Sequence, residues 1–359
     1  MYVKNAWYVA AWSTEVSREL LSREICDVSV LLFRRENGDA VAIGNRCPHR
    51  FAPLQMGKLM GDVVQCPYHG LKFDHRGACV ENPHGDGKVP RACKVPSFPA
   101  VERHGLIWLW FGDQEIAEES LIPDFSCLVD TENYRTVGGT ILMDANYELI
   151  TDNLVDLSHV EFVHEGILGS EAIKRGRHEV LQDGLTVHSN RWCPDGLAPP
   201  AWDAMFGNYG KPVDHWLNMR WDPPAHMLLD VGVTPTGRPV EDGIMILGTD
   251  ILTPASKTRT HYFWAISRPY DLDNPEVDKA WEQAIDAAFV GQDKPMLEAV
   301  QVMMGDKSFD ELKPVMISPD AGAVRCRRII ADLISGECSV AVDHANCGEK
   351  DAPANRASH

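Results

Sequence analysis

Two short segments each place one cysteine and one histidine close together, Cys47-Pro48-His49 and Cys66-Pro67-Tyr68-His69. A zinc finger usually pairs like with like, two cysteines in one turn and two histidines in a helix. A mixed pair on each of two loops suits a two-iron, two-sulfide cluster, in which one iron takes both cysteines and the other both histidines. The pattern therefore predicts a Rieske-type 2Fe-2S cluster, and a structural zinc site with the same four ligands is the alternative.

A second group of metal-binding side chains lies between Asn153 and His164. Two histidines and one carboxylate on one face of a metal, with the other positions open, hold non-haem iron(II) for oxygen activation. His159 and His164 are five residues apart, which on an ideal helix separates their side chains by about 140°. We therefore expect the helix to end or bulge between them. By themselves, the two histidines are equally compatible with unrelated surface or core positions.

A carboxylate from elsewhere in the chain must complete such an iron site. Asp286, Asp293 and Glu298 are the candidates in the segment 275–304. We favour Asp293, because Pro295 disfavours helix at the residue before it and leaves the backbone free to aim a ligand. The alternative for an aspartate beside a helix start is a capping role.

Asp156 and Asn153 are the candidates for a catalytic role beside the iron. Asp156 lies three residues before His159, so a continuous helix would project both side chains from one face. A carboxylate so placed can orient and charge-balance a ligand imidazole. Asn153 lies three residues earlier on the same face.

The elements that must position these residues are of two kinds. Residues 28–33 and 40–43 read as strands around a turn at 36–39, which is a good hairpin signal, and residues 106–111 read as a further strand. Later in the chain, predicted strands at 227–233 and 261–266 alternate with helices. One of these helices starts at Asn274-Pro275, with asparagine as its cap and proline in its first turn.

The predicted fold class is α+β, with a β-rich domain around the cluster followed by a catalytic domain of mixed antiparallel sheet and helix. The predicted boundaries are 1–115 for the cluster domain, 116–335 for the catalytic domain and 336–359 for a mobile tail. The 359 residues are long enough for two domains with their own cores.

Composition excludes several classes of function. The formal net charge of −18 argues against nucleic-acid binding, which needs a basic surface. No apolar run approaches a membrane span, and the amino terminus has no apolar segment typical of a signal peptide. The eight other cysteines (26, 79, 93, 127, 193, 326, 338 and 347) show no paired spacing, which favours small buried residues or free thiols in a reducing cytoplasm.

The charge is unevenly distributed along the chain. Between Arg46 and Arg103, nine lysines and arginines outnumber five acidic residues. This asymmetry is compatible with chance, or with a basic collar that steers an acidic electron donor to the cluster.

The two metal motifs together resemble the Rieske non-haem iron aromatic-ring oxygenases. The opening segment 4–10 (Lys-Asn-Ala-Trp-Tyr-Val-Ala) and the residues around both Cys/His pairs look most like the vanillate and dicamba O-demethylase branch. The likeness runs from about residue 1 to about residue 332. It implies a terminal oxygenase that contains a Rieske 2Fe-2S cluster and a mononuclear Fe(2+). The segment 292–294 also resembles the family's third-ligand position, which again favours Asp293.

The resemblance also implies partners and a reaction. Electrons come from NADH through a separate reductase, or through a ferredoxin plus a reductase, since no G-x-G-x-x-G dinucleotide fingerprint is present. A homotrimer is implied, in which Asp156 contacts His159 of its own chain and the partner subunit's His69. With O2 as co-substrate, hydroxylation of a methoxy carbon gives a hemiacetal, which collapses to a phenol and formaldehyde. N-dealkylation and ring hydroxylation are the alternatives.

The substrate pocket should lie in the second domain. The candidate pocket residues are Leu229, Asp250, Ile251 and Trp281, together with Trp202, Met205 and Phe206. Each apolar member is equally an ordinary core candidate. Asp250 would repel a carboxylate substrate unless it is protonated or paired with a cation, which favours neutral methoxy- or N-alkyl-aromatics. It could also accept a hydrogen bond from a substrate phenol.

Two other classes of function compete with an oxygenase. A pure Rieske electron carrier would not need His159, His164 or the long segment after the cluster domain. A zinc-stabilised binding protein would be colourless, whereas a Rieske protein is red-brown.

Overall fold

The computed structural model describes residues 1–207 and 209–336 of the chain. Of the tail predicted at 336–359, all but Gly336 therefore lies outside the described residues. Among the helices of the described part, none is long and apolar enough to cross a membrane.

The amino-terminal region is built from short antiparallel strands. They are β1 (Ala6–Trp12), β2 (Leu21–Ile25), β3 (Val28–Arg34), β4 (Ala40–Gly44), β5 (Lys58–Met60), β6 (Val63–Gln65), β7 (Lys72–Phe73), β8 (Cys79–Glu81), β9 (Ser97–Phe98), β10 (Ala100–Arg103) and β11 (Leu106–Phe111). They form three small sheets with the orders β1-β11-β10, β2-β3-β4-β9 and β5-β6-β7-β8. The predicted hairpin is present as β3 and β4, and its turn uses Gly38 at φ +93°, a conformation that glycine tolerates.

Each Cys/His pair lies on a loop that a β-pairing closes at its base. The first loop follows β4, and an antiparallel bridge between Arg46 and Pro53 closes it. The second loop joins β6 to β7, whose Gln65 and Lys72 are paired. Both loops are thus short excursions from rigid strands, which fixes the direction of their side chains.

The second region contains one large antiparallel sheet and several helices. Its strands are β12 (Arg135–Met143), β13 (Arg177–Asp183), β14 (Thr186–Leu197), β15 (Pro212–Asp222), β16 (His226–Pro235), β17 (Ile244–Ser256) and β18 (Arg259–Arg268), in the sheet order β12-β18-β17-β16-β15-β14-β13. The helices are α1 (Tyr147–Val155), α2 (Val160–Val163), α3 (Glu171–Arg175), α4 (Pro200–Phe206), α5 (Pro275–Ile285), α6 (Lys294–Met304), α7 (Phe309–Leu312) and α8 (Ala321–Ser335).

Helix α5 begins as predicted. The Asn274 side chain accepts the Glu276 N–H at 3.1 Å, and Pro275 occupies the first turn. Proline disfavours helix at the residue before it, so the sequence predicts a break before Pro295. The structure has no such break. A π-helical segment, Asp286–Asp293, joins α5 to α6, and Lys294 is helical at φ −55° and ψ −51°.

Helix α8 fixes the position of α1, the helix that leads to the histidine pair. The Arg327 guanidinium donates to both carboxylate oxygens of Asp152 at 2.7–3.0 Å and to Glu148 at 2.9 Å. Both carboxylates are partly shielded from water, which makes this fork-shaped pairing stronger than a surface ion pair. Helix α8, the last of the described helices, thereby holds α1 in place.

The two faces of the large sheet have different neighbours, because successive strand residues point to opposite sides. On one face, Trp202 of α4 and Trp281 of α5 pack with strand residues such as Val231. On the other face, Ile251 packs with Trp7 and the other large aromatics of β1 and β11. Helices therefore pack on one side of the sheet and β1 and β11 on the other, and a further core joins the amino-terminal region to the helices through residues such as Tyr8, Leu149 and Leu297.

The predicted α+β class, a β-rich region followed by a large antiparallel sheet with helices, is confirmed. Side chains also tie the two regions together: Thr253 Oγ1 donates to the Val9 carbonyl at 2.7 Å, and His226 Nε2 lies 3.0 Å from the Trp7 carbonyl. A run of short 3-10 turns between Gln114 and Leu128 connects them. The domain boundary at residue 115 falls in this run and stays a prediction.

Candidate metal centres

The two Cys/His loops have the same backbone shape. The Phe51 N–H donates to the Cys47 carbonyl at 3.0 Å, and the Gly70 N–H donates to the Cys66 carbonyl at 3.1 Å. Phe51 and Gly70 each lie four residues after the cysteine, and both have a left-handed backbone, at φ +60° and +72°. A phenylalanine in this region is unusual and is found where the surroundings impose it.

The four donors of these loops are divided by depth. Cys47 and Cys66 are 1% and 2% exposed, whereas His49 is exposed and His69 is half-buried, with the two imidazole rings 4.4 Å apart. Burial, with the Cys66 thiol beside it, raises the pKa of the Cys47 thiol to about 11. A bound cation would reverse this shift, because thiolates are the form that binds metal. Two inner thiols and two outer imidazoles fit a Rieske cluster.

His84, which the sequence did not single out, supports the second loop. Its Nε2 lies 2.8 Å from the His69 carbonyl oxygen, and the two rings are 6.3 Å apart. This contact holds the backbone of the loop next to its imidazole.

The helix that leads to the histidine pair is interrupted, as the spacing predicts. Helix α1 ends at Val155, and Asp156 leaves the helical conformation at φ −97° and ψ 90°. The Asp156 carboxylate then accepts the Ser158 N–H at 2.9 Å and its hydroxyl at 3.0 Å, which starts a 3-10 turn ending at His159. After α2, His164 is the C-cap residue. This break brings the two imidazole rings to 5.3 Å from each other.

Asp293 joins the two histidines. Its Oδ1 lies 3.7 Å from His159 Nε2, and its Oδ2 lies 3.2 Å from His164 Nε2. His159, His164 and Asp293 form a group whose possible ligand atoms all lie within 4.8 Å of one another. Within the described ranges, no other set of three or more His, Cys, Asp or Glu side chains does so. The wider turn of the π-helix that ends at Asp293 sets its direction, in line with the frequent use of such bulges at functional sites.

Hydrogen bonds fix the tautomer of both imidazoles. His159 Nδ1 lies 2.7 Å from the Asp156 carbonyl oxygen, and His164 Nδ1 lies 2.8 Å from Gln292 Oε1. Each acceptor takes a proton from Nδ1, so Nε2 is the nitrogen of both rings that faces Asp293 and can bind a metal. This is the usual support of a metal-binding histidine. The residues present therefore fit an iron site made of two histidines and one carboxylate.

The two imidazoles differ in their electrostatics. Burial lowers the pKa of His159 more than Asp293 raises it, so the pKa lies below its ordinary value. Burial also acts to lower the pKa of His164, but the Asp293 carboxylate and Gln292 outweigh it and raise the pKa. The site thus favours a neutral His159, the form that binds metal.

Asp156 and Asn153 both lie at this site, in ways that differ from a simple helix face. Asp156 contacts His159 through its backbone carbonyl, while its carboxylate caps the 3-10 turn and lies 4.0 Å from the Arg191 guanidinium. Within the chain, Asp156 thus contacts His159 through its carbonyl rather than its carboxylate, because the helix ends at Asp156. Asn153 Nδ2 donates to Asp293 Oδ1 at 3.3 Å.

The four pocket candidates do not all lie on the same face of the large sheet. Leu229 and Trp281 lie on the helix-covered face of the sheet. Asp250 is buried, accepts the Tyr262 hydroxyl at 2.6 Å and is close enough to Asp293 to be affected by its charge. Ile251 is a correction: strand alternation turns it to the opposite face, where it packs with Trp7 and Trp108.

Besides His84, the sequence analysis missed two further supporting residues, Gln292 and Tyr262. Gln292 holds His164, and the signal for it was its position directly before the favoured ligand Asp293. The Tyr262 hydroxyl donates to Asp250 because β17 and β18 are paired strands. No short sequence motif predicts this contact.

Comparisons with known proteins agree with this geometry. Residues 6–99 match the family model "Rieske [2Fe-2S] domain", and residues 143–336 match "Vanillate O-demethylase oxygenase C-terminal domain". The chain is 40% identical to the oxygenase component of chloroacetanilide N-alkylformylase from Rhizorhabdus wittichii over 94% of its length and 97% of that protein. It is 41% identical to the oxygenase component of dicamba O-demethylase from Stenotrophomonas maltophilia, over 92% and 98%.

A solved structure shows the same fold. The crystal structure of dicamba monooxygenase with non-haem iron and dicamba superposes with a TM-score of 0.81 at 40% identity, covering 94% of this chain and 98% of that one. The expected cofactors, a Rieske cluster and a mononuclear iron, are confirmed at the level of the family. Since the family models and full-length relatives agree, the chain belongs to the Rieske non-haem iron oxygenases of the vanillate and dicamba O-demethylase branch, as the oxygenase component of a multicomponent monooxygenase.

Proposed function

We propose that this oxygenase removes the methyl group from an uncharged methoxy-arene. The observation that carries the proposal is the convergence of His159, His164 and Asp293, with both Nε2 atoms facing the Asp293 carboxylate. The match to a vanillate O-demethylase domain and the dicamba O-demethylase relative support dealkylation in particular.

The proposal assigns ligands to both metal centres. Those of the Rieske cluster are Cys47, His49, Cys66 and His69, and those of the mononuclear iron are His159, His164 and Asp293. When bound, the iron activates O2 with electrons that arrive through the cluster. The chain's part is to fix both imidazole tautomers, through the Asp156 carbonyl and Gln292, and to hold Asp293 through Asn153.

The reaction balances around the substrate's methyl group. One oxygen atom of O2 enters a methyl C–H bond and gives a hemiacetal, which breaks into a phenol and formaldehyde. The second oxygen atom leaves as water. NADH supplies the two electrons through the partner proteins, and the two protons come from NADH and from solvent.

The choice of an uncharged substrate rests on Asp250. This side chain is 4% exposed, and burial raises its pKa to about 7, with the nearby Asp293 carboxylate adding to the shift. Near neutral pH, Asp250 is therefore partly protonated and can donate or accept a hydrogen bond. As it ionises, it repels a carboxylate substrate. Leu229 and Trp281 supply apolar surface on the same face of the sheet.

The proposed route of electrons crosses between subunits. We propose a homotrimer in which Asp156 links His159 to the partner subunit's His69. A head-to-tail contact that closes on itself makes such a ring. The excess of basic residues around the cluster would guide an acidic donor, either a reductase or a ferredoxin with its reductase. The free thiols at both Cys26 and Cys127 favour a cytoplasmic location.

N-dealkylation is the second candidate, because one relative is a chloroacetanilide N-alkylformylase at 40% identity. That name describes a substrate in which an alkyl group leaves nitrogen rather than oxygen. Oxidation of the carbon next to either atom produces an unstable intermediate, so the same residues serve both reactions.

The proposed reaction predicts one formaldehyde released for each O2 and NADH consumed. We would supply a surrogate reductase, screen neutral methoxy-arenes and N-alkyl-arenes, and measure formaldehyde and the dealkylated product together. A ring-hydroxylated or cis-dihydrodiol product without formaldehyde would contradict dealkylation while leaving the oxygenase assignment intact.

The ligand assignment predicts that the two metal centres can be emptied separately. Wild-type protein should contain about three irons and two acid-labile sulfides per chain. Cys66→Ala should lose the sulfide and the visible absorbance, whereas Asp293→Ala should lose about one iron and keep the cluster spectrum. The exposed Asp286, in the same π-helical segment, offers a matched control, and Asp286→Ala should keep all metals. Stoichiometric zinc in iron-replete protein would overturn the assignment.

The inter-subunit route predicts a selective defect in Asp156→Asn. Asparagine is also a good capping residue, so the turn that starts at Ser158 and both metals should persist. The charge is lost, and we expect turnover to fall by at least about 100-fold, while the reductase still reduces the cluster. Single-turnover oxidation of the reduced cluster is the measurement. The exposed Asp144, changed to Asn, is the control, and normal electron transfer in Asp156→Asn would refute the role.

The role of Asp250 predicts a pH-dependent choice between substrates. Its carboxyl is mostly protonated below about pH 7 and anionic above it, so discrimination against a methoxybenzoate should grow from about pH 6 to about pH 8. Asp250→Asn should remove this dependence and raise kcat/KM for the anion about tenfold relative to a neutral arene, roughly 1.4 kcal/mol. Asp230, which accepts the Trp216 indole N–H, gives the control Asp230→Asn. An unchanged preference in Asp250→Asn would exclude Asp250 from substrate selection.

A further inference from the structure

Two cysteines outside the proposed ligand set face each other next to the cluster loops. An antiparallel bridge pairs Ala78 with Lys94, which places Cys79 directly opposite Cys93. The Cys79 N–H donates to the Cys93 carbonyl at 3.2 Å. Directly opposed residues have Cα atoms about 4.5–5.5 Å apart, within the range that a disulfide spans. The sequence showed no paired spacing because the sheet, not a short motif, creates this pair.

The two thiols already contact each other. Cys79 Sγ donates to the Glu81 carbonyl at 3.5 Å, and the Cys93 thiol is hydrogen-bonded to Cys79. Burial and this hydrogen bond raise the pKa of the Cys93 thiol to about 12. Both side chains are half-buried against the core that holds Cys47 and Cys66, so a small oxidant can reach them.

The segment between these cysteines touches a proposed cluster ligand. Residues 79–93 carry His84, whose Nε2 lies 2.8 Å from the carbonyl oxygen of His69. A covalent link at the base of this segment would limit its opening, because cross-linking removes conformations in which the loop swings away. The dithiol is thus placed to hold the second cluster loop closed.

We propose that Cys79 and Cys93 form a redox-active dithiol that closes to a disulfide under peroxide and pins residues 79–93 over the second cluster loop. The oxidant is hydrogen peroxide, which an oxygenase releases when O2 takes two electrons and two protons without oxidising a substrate. Cys79 attacks peroxide and becomes a sulfenic acid with loss of water, since the raised pKa of the Cys93 thiol makes Cys93 the poorer nucleophile. The other thiol displaces the second water and forms the S–S bond. Two thiols and one peroxide therefore give one disulfide and two waters.

The direct test is a peptide map of the cluster-loaded protein after one equivalent of hydrogen peroxide. Alkylation in denaturant followed by trypsin places Cys79 in the peptide 77–88 and Cys93 in the tripeptide 92–94. We expect these peptides to appear joined, two hydrogens lighter than their sum, and to separate with dithiothreitol. Alkylated, unjoined peptides from protein whose cluster has bleached would refute the proposal, as would linkage of Cys79 to another chain.

Variants separate this pair from the other thiols. Cys93→Ser should abolish the joined peptide while retaining the cluster spectrum, and Cys79→Ala is the second variant should the first fail to fold. Cys26→Ser, at another half-buried free cysteine, should leave the joined peptide unchanged.

The pinning role has its own measurement. With a chelator present, peroxide-treated wild type should lose its visible absorbance at least about threefold more slowly than the same protein after dithiothreitol, because the closed loop opens less often. Cys93→Ser should show no such difference between the two treatments. Equal rates for oxidised and reduced wild type would exclude the pinning role. Neither readout depends on the substrate, so both remain valid if dealkylation is wrong.

Discussion

The constraint that governs this fold is the burial of two imidazoles and a carboxylate in largely apolar surroundings. His164 and Asp293 are 2% and 3% exposed, and an uncompensated charge at such depth costs several kcal/mol. The contacts between His164 and Asp293, together with those to Gln292 and Asn153, offset this cost. Two helices give up their regular course to allow it: one ends at Asp156, and the other widens into a π-helix before Asp293.

The two proposed metal centres of one chain belong to different hydrophobic cores. Helices near the iron-site residues pack on one face of the large sheet, and the aromatic residues of β1 and β11 pack on the other. The cysteines of the cluster loops lie in a separate core, which shares no member with the cores around the iron-site helices. Under the proposed inter-subunit route, the two centres of one chain do not need to exchange electrons with each other.

Most local elements were predictable because a single stretch of sequence specifies them. The hairpin around Gly38 and the cap at Asn274 depend on residues within a few positions of each other, and so do the Cys/His loops. Two features that the sequence did not predict arise where a helix departs from its regular geometry. The π-helix overrides the expected break before Pro295, and Asp156 uses its carbonyl where a continuous helix would have offered its carboxylate.

Strand β17 carries Asp250 and Ile251 side by side in sequence but on opposite faces of the sheet. This alternation gives neighbouring codons different physical effects. Under the proposed function, a change at Asp250 alters the surroundings of Asp293, whereas a change at Ile251 alters the packing with the aromatic layer. Substrate choice and the packing between the two regions could then vary independently along one strand of the same scaffold.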